Sequence, residues 1–322
     1  MKLKCVNHFD VKPKGKKCEV NTLVGILFSF AASVLLISCD TKVQKKRGEA
    51  EPISPEADER IATTGSPSSP TSTDPVLSDY NFSGIVSLAN CSGSLIRYTN
   101  SSDKDNALVL TNAHCDSVMP RRNNSFIQNK ESRQSFTLVS DSGQSDVGEI
   151  KAIKLLYATM TGTDIAIYQL AETYTYLRDR YKVEAFTIAE DSFSIGDSIE
   201  IISGYWRRGY SCSVEATIPV LEEDIFFFKE SLRYSKPGCE TIGGTSGSPV
   251  VLAGTKQVIA ISNTLNENGE LCTLNNPCEI GNDGVKRAYK GNSYGQQTAW
   301  IYSCLNTENQ IDLMIEGCKL YH

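Results

Sequence analysis

The chain has 322 residues, 40% of them hydrophobic and 22% charged, and a formal net charge of −6. That length and apolar content suffice for a sizeable buried core. The acidic balance, with Lys45-Lys46-Arg47 the longest basic run after the first 20 residues, gives no footing for nucleic acid as a partner, and no solenoid-length repeat is present.

From the N-terminus, residues 1–20 carry six lysines against Asp10 and Glu19, and Leu23–Ser38 follows without a charge. A membrane span needs about 20 apolar residues, so the shorter run fits the hydrophobic segment of an export signal. It ends in Leu36-Ile37-Ser38-Cys39, which resembles the bacterial lipobox, where the cysteine is lipidated and becomes the new N-terminus. A signal at 1–38, lipid on Cys39 and an exported protein anchored to the cell envelope are therefore expected. Residues 39–78 read as a tether: charged first, then TTGSPSSPTSTDP (63–75), too poor in large apolar groups to build a core. Residues 79–322 remain for one domain or two fused sub-barrels, near 79–180 and 185–322.

Short apolar runs between turns follow: 84–88, 93–98, 107–112, 135–140 and 165–170, then 198–204, 212–220, 224–230, 248–252 and 257–262. Their length and spacing predict antiparallel strands in an all-β barrel or sandwich. Only 293–305 (SYGQQTAWIYSCL) reads as a helix.

Three side chains on these segments bear on chemistry. Thr111-Asn112 begins a turn that carries His114 out of the 107–112 strand. The chain has three histidines; His8 lies in the lysine-rich segment and His322 is the last residue, so His114 is the candidate base. Asp164 directly precedes the 165–170 strand, where its carboxylate can turn inward, while Asp141 and Asp146 fall in a polar Ser/Gly loop that suits solvated charge. Ser246 stands in GGTSGSPVV (243–251), alone an ordinary turn residue. A serine hydroxyl becomes a nucleophile once a base removes its proton, and a carboxylate then holds the imidazole in the right tautomer.

Eleven cysteines are present. Cys5 and Cys18 leave with the signal and Cys39 takes the lipid, so Cys91, Cys115, Cys212, Cys239, Cys272, Cys278, Cys304 and Cys318 remain. An even set in an exported chain reads as disulfides. Spacing does not fix their connectivity; pairing in chain order is the expectation. The Cys272–Cys278 spacing is too wide for a zinc knuckle and has no histidine nearby, so no metal is expected.

The stretches CSGSLI (91–96), TNAHC (111–115), TDIAIYQL (163–170) and GGTSGSPVV together resemble the four signature stretches of the trypsin/chymotrypsin-like serine peptidases, over about 79–305. The order His, Asp, Ser differs from that of α/β-hydrolases and of subtilisins. Ser248 also stands where the lipase elbow Gly-x-Ser-x-Gly has its last glycine. SGSPVV and DSIEIISGYW point to the bacterial branch, which includes glutamyl endopeptidases.

The resemblance implies two six-stranded antiparallel barrels with a C-terminal α-helix and a cleft between the barrels. It implies a His114–Asp164–Ser246 triad, an oxyanion hole from the Gly244 and Ser246 N–H groups, and a Cys91–Cys115 disulfide beside the histidine. The substrates would be polypeptides, with no cofactor, acting as a monomer. Glu240 matches the acid at the trypsin pocket base, with Thr241, Ser262 and Asn263 lining the pocket. Glutamyl enzymes use a histidine in the strand that here ends in Ser262-Asn263, which counts against glutamate specificity. Trypsin-like zymogens are activated when a new N-terminal amine pairs with an aspartate directly before the nucleophile. Thr245 stands there instead, and no matching cut site precedes the first strand, so activation by such a cut is not expected. A non-cutting, tethered peptide-binding homologue is the alternative; such proteins usually lack a triad residue, and here all three are present.

Overall fold

The computed structural model describes residues 80–116 and 123–322. The expected signal at 1–38, the Cys39 lipid site and the tether at 39–78 lie outside the described residues. No helix among the described residues is long and apolar enough to cross a membrane.

The chain is built mainly of strands. The first group is β1 (Ile85–Ser87), β2 (Ser92–Arg97), β3 (Asn106–Thr111), β4 (Phe126–Glu131), β5 (Ser135–Val139), β6 (Asp146–Thr159) and β7 (Ile165–Thr173). Helix α1 (Tyr174–Tyr181) and β8 (Phe186–Ile188) link it to β9 (Ser198–Ser203), β10 (Arg208–Glu223), β11 (Phe226–Tyr234), β12 (Pro249–Leu252), β13 (Gln257–Leu265), β14 (Cys278–Ile280), β15 (Lys286–Arg287) and β16 (Ser293–Gln297). Strands β1-β5-β6-β7-β3-β2 pair in that order, and β1 pairs with β2, closing a six-stranded antiparallel barrel. Strands β13-β12-β9-β10-β11-β16 form a second path of antiparallel pairings, and β13 pairs with β16 at its end. Closure leaves few unpaired backbone edges. Between the rings, β8 runs parallel to both β2 and β13.

Alternation of side chains along a strand sends successive residues to opposite faces, and here both faces are buried. In β3, Ala107 and Val109 join the core inside the first barrel, whereas Leu108 and Leu110 join a middle core at the seam between the rings. In β7, Ala166, Tyr168 and Leu170 point to the first core, and Ile165 and Ile167 to the seam. In β13, Val258 and Ile261 reach the seam, while Ile259 and Ala260 fill the second ring. Strands buried on both faces must be apolar almost throughout, which is why these runs stand out in the sequence.

The segment 293–305 is not an α-helix. Ser293–Gln297 is β16, inserted between β11 and β13, and only Ala299–Cys304 turns, as a 3₁₀ segment. All five β16 side chains are buried; ring closure by pairing outweighs the local lack of strand formers. Strand β6 and helix α1 have no counterpart among the sequence-based expectations. Four disulfides join Cys91–Cys115, Cys212–Cys239, Cys272–Cys278 and Cys304–Cys318.

Ile167 is fully buried in the seam core. Ile167→Ala is expected to lower unfolding free energy by about 2–5 kcal/mol, as for large-to-small changes in tight cores. Denaturant unfolding of the variant checks this, and a loss under about 1 kcal/mol would contradict the seam as a packed core.

Candidate active site

Strand β3 ends at Thr111, whose Oγ1 donates to the Ser92 carbonyl (2.8 Å). The 3₁₀ turn Ala113–Cys115 then presents His114. Asp164 sits at the entry to β7 with its side chain 1% exposed. A carboxylate so buried needs compensating donors, and it has three. The Ala113 and His114 N–H groups donate to Oδ1 (2.7 and 3.2 Å), and His114 Nδ1 lies 2.6 Å from Oδ2. Asn112 Nδ2 adds a bond to the Asp164 carbonyl (2.7 Å). Since a carboxylate only accepts, Nδ1 carries the proton in neutral His114, and Nε2 is left as the basic nitrogen.

Ser246 occupies a loop between two glycines of positive φ, Gly244 (+90°) and Gly247 (+83°), a region that side chains rarely tolerate. A Cβ on Gly247 would collide with the Ser92 carbonyl and Thr111 Oγ1, so β2 and β3 pass directly under the loop. The Ser246 carbonyl accepts from Ser92 N–H (2.8 Å), and Gly247 N–H donates to the Ser262 carbonyl (2.9 Å). The loop is thus stitched to both rings. Among the described residues, the Gly244 and Ser246 N–H groups donate to no protein acceptor, which leaves both available to an incoming anion.

The Ser246 hydroxyl does not donate to His114 here. It donates to the Asn263 carbonyl (3.0 Å). The cause is local: the β13–β16 register shifts between Ser262 and Thr264, so Asn263 bulges and its carbonyl is released from the ladder. The structure therefore brings His114 and Asp164 into contact and sets Ser246 on a loop bonded to β2, which pairs with β3, and to β13.

The pocket residues divide. Thr241, Ser262 and Asn263 are buried. Glu240 is exposed, and its carboxylate folds back onto Gly238 N–H (2.8 Å), so it does not form a buried acidic pocket floor; water and a nearby amide solvate the charge there. Among the described residues, the buried acids that sequence reasoning passed over include Glu279 and Glu223. Glu279 accepts Arg233 at 2.8 Å through both oxygens, and also the Tyr294 hydroxyl (2.9 Å). Glu223, at the end of β10, accepts Asn275 N–H (2.8 Å). Burial holds the Glu223 carboxyl above its usual range, opposed by bonds from Thr264 and Asn275 and by the field of His114, and reinforced by Asp164. Neither had a local signal: Glu223 falls between the runs read at 212–220 and 224–230, and Glu279 lies beyond the last run at 257–262. Ligand-like groupings at Cys91–His114–Cys115 and Glu222–Cys272–Cys278 each place both sulfurs in a disulfide, leaving no thiolate to bind a metal.

Residues 91–261, more than half of the chain, match the family model described as a trypsin-like peptidase domain. The chain belongs to that family. No curated protein matches the sequence of this trypsin-like chain significantly. Among solved structures, it is similar to the MamO protease domain from Magnetospirillum magneticum, with 14% identity and a TM-score of 0.44 over 70% of this chain and 98% of that one. Neuropsin, a serine protease of mouse brain, gives 15% identity and a TM-score of 0.40 over 70% and 95%. A Nocardiopsis protease gives 13% and 0.38 over 67% and 91%.

Folded Glu223 keeps its proton to higher pH than the same group in the unfolded chain. Its stabilising contribution is complete below the usual carboxyl value of 4.5 and is lost as pH rises through the higher folded value. Glu223→Gln retains an acceptor for Asn275 and removes the buried charge. The variant should melt with wild type at pH 4 and above it at pH 8, measured by thermal unfolding; a lower melting temperature at pH 8 would contradict this account.

Proposed function

We propose that the chain is a serine endopeptidase that hydrolyses polypeptides through an acyl-enzyme, with His114, Asp164 and Ser246 as its catalytic residues. The observation that carries this reading is the buried Asp164 carboxylate, which accepts from His114 Nδ1 and from two N–H groups of the same turn. That arrangement fixes the imidazole orientation and leaves Nε2 as base.

Rotation of Ser246 about its Cα–Cβ bond would release the hydroxyl from Asn263. His114 Nε2 then takes the proton as Oγ attacks the scissile carbonyl. The N–H groups of Gly244 and Ser246 receive the developing oxyanion. His114 returns the proton to the leaving amine, and water repeats the cycle on the ester. As further proposals, the 1–38 signal would direct export and be removed, and the Cys39 lipid would hold the domain at the cell envelope on the 39–78 tether.

The resting bond from Ser246 to Asn263 is the one observation that favours the alternative, a tethered peptide-binding homologue that does not cut. One variant separates the two readings. Ser246→Ala should lower casein hydrolysis by roughly a thousandfold or more and abolish fluorophosphonate labelling, with thermal unfolding unchanged. A wild type that neither cleaves nor labels would favour the binding homologue, and an Ala variant that still labels would displace Ser246 as nucleophile.

The same mechanism sets a pH dependence. Protonated His114 cannot accept a proton, so kcat/KM should fall on acidification with the uptake of a single proton. A pH–rate profile flat through the acidic range would exclude His114 as the base.

A further inference from the structure

The peptide groups on either side of Gly244 are held from outside their own loop. Trp206 Nε1 donates to the Gly243 carbonyl (2.7 Å), and Ser92 Oγ donates to the Gly244 carbonyl (3.2 Å). The two anchors are connected. Trp206 N–H donates to Ser203 Oγ (3.3 Å), and Ser203 Oγ lies 2.9 Å from Ser92 Oγ, which also accepts from Tyr205 N–H (3.1 Å). Ser92 spends its one proton on Gly244, so Ser203 donates to Ser92. The run Trp206 N–H, Ser203, Ser92, Gly244 carbonyl is thus a continuous relay.

We propose that Trp206 is a positioning residue for oxyanion binding: its indole N–H fixes the Gly243–Gly244 peptide so that the Gly244 N–H faces the reaction cleft. The inference rests on the peptidase reading above and adds a residue to it. Among the described residues, the one cis peptide is Lys236–Pro237, so the Gly243–Gly244 unit is trans, and its carbonyl and N–H point to opposite sides. Drawing the carbonyl to the indole drives the N–H away from it.

The unit needs such a hold. Two consecutive glycines give the least intrinsic restraint on rotation of the peptide between them, and a Cβ on Gly243 would meet nothing within 4 Å. A Cβ on Gly244 would lie 2.7 Å from Tyr205 Cδ1 and 2.9 Å from Trp206 Nε1, so the aromatic pair also closes the outer side of the loop. Tyr205 steadies the indole edge-on, with ring centroids 4.9 Å apart. The Thr245 side chain, buried and uncharged, reaches only the Tyr210 hydroxyl (3.4 Å) among the described residues and offers no charge for an ion pair to do the same. Trp206 itself is 46% exposed, so the loss of its N–H leaves no buried core group unpaired.

Trp206→Phe in the full chain keeps an aromatic ring and removes the donor. The expected result is a fall in kcat of about 10- to 100-fold, short of or equal to the loss of one oxyanion donor, with KM within about twofold. Affinity for a peptidyl trifluoromethyl ketone, whose hemiketal oxygen needs the same N–H, should fall in parallel. The acid limb of the pH–rate profile should keep its position, since His114 is untouched. In the ketone complex, NMR should show the Gly244 amide proton shifted downfield in wild type and less so in the variant. A wild type that does not turn over would overturn the peptidase reading. A variant with kcat and ketone affinity within twofold of an active wild type would overturn this inference alone. A rise in KM at constant kcat would make Trp206 a substrate contact and equally refute it.

Discussion

Two residues at the start of β2, Cys91 and Ser92, tie the histidine and the serine to one piece of backbone. Cys91 is bonded to Cys115, the residue after His114. The Ser92 N–H holds the Ser246 carbonyl, its carbonyl receives Thr111 Oγ1, and its hydroxyl reaches the Gly244 carbonyl. The proposed catalytic constellation spans two separately closed sets of strands, so its geometry would drift with any slip between them. With both loops referred to the same short segment, such a slip displaces them together. Effective catalysis depends on positioning of this kind, because small misplacements of reacting groups are costly.

The seam supplies the second constraint. Each ring gives alternate side chains of its strands to a shared middle core, with Leu110 and Ile167 from one side and Val251 and Ile261 from the other. Strand β8 adds backbone pairing across the same boundary. Side chains that leave the barrels on this face meet apolar partners in place of water. The two halves thereby share one packed core.

Much of this was legible in the residues. Runs such as ALVLTN and IAIYQL announce strands because both faces are buried, and His114, Asp164 and Ser246 stand directly beside such runs. Where burial alternates with exposure over a long strand, as in the fourteen residues of β6, the apolar signal is diluted and the strand is missed. The segment 293–305 misleads for another reason: its glutamines and serine are buried by ring closure, a tertiary effect with no local trace. Glu240 matched a family position in spacing, yet its carboxylate turns to the nearest amide at the surface. Ser92 and Trp206 lie beyond local reading because their partners are 152 and 37 residues away, and side-chain bonds to remote carbonyls follow no periodicity.

Gly247 carries a lesson for reading relatives of this chain. A methyl group there would strike Ser92 and Thr111, and its N–H serves the Ser262 carbonyl. The glycine is therefore dictated by how closely two strands and a loop approach, and the chemistry of the neighbouring hydroxyl has no part in it. A descendant that had lost the Ser246 hydroxyl would remain under the same steric pressure to keep the glycine. Preservation of the small-residue motif thus records the architecture of the crossing and says nothing of the chemistry at position 246.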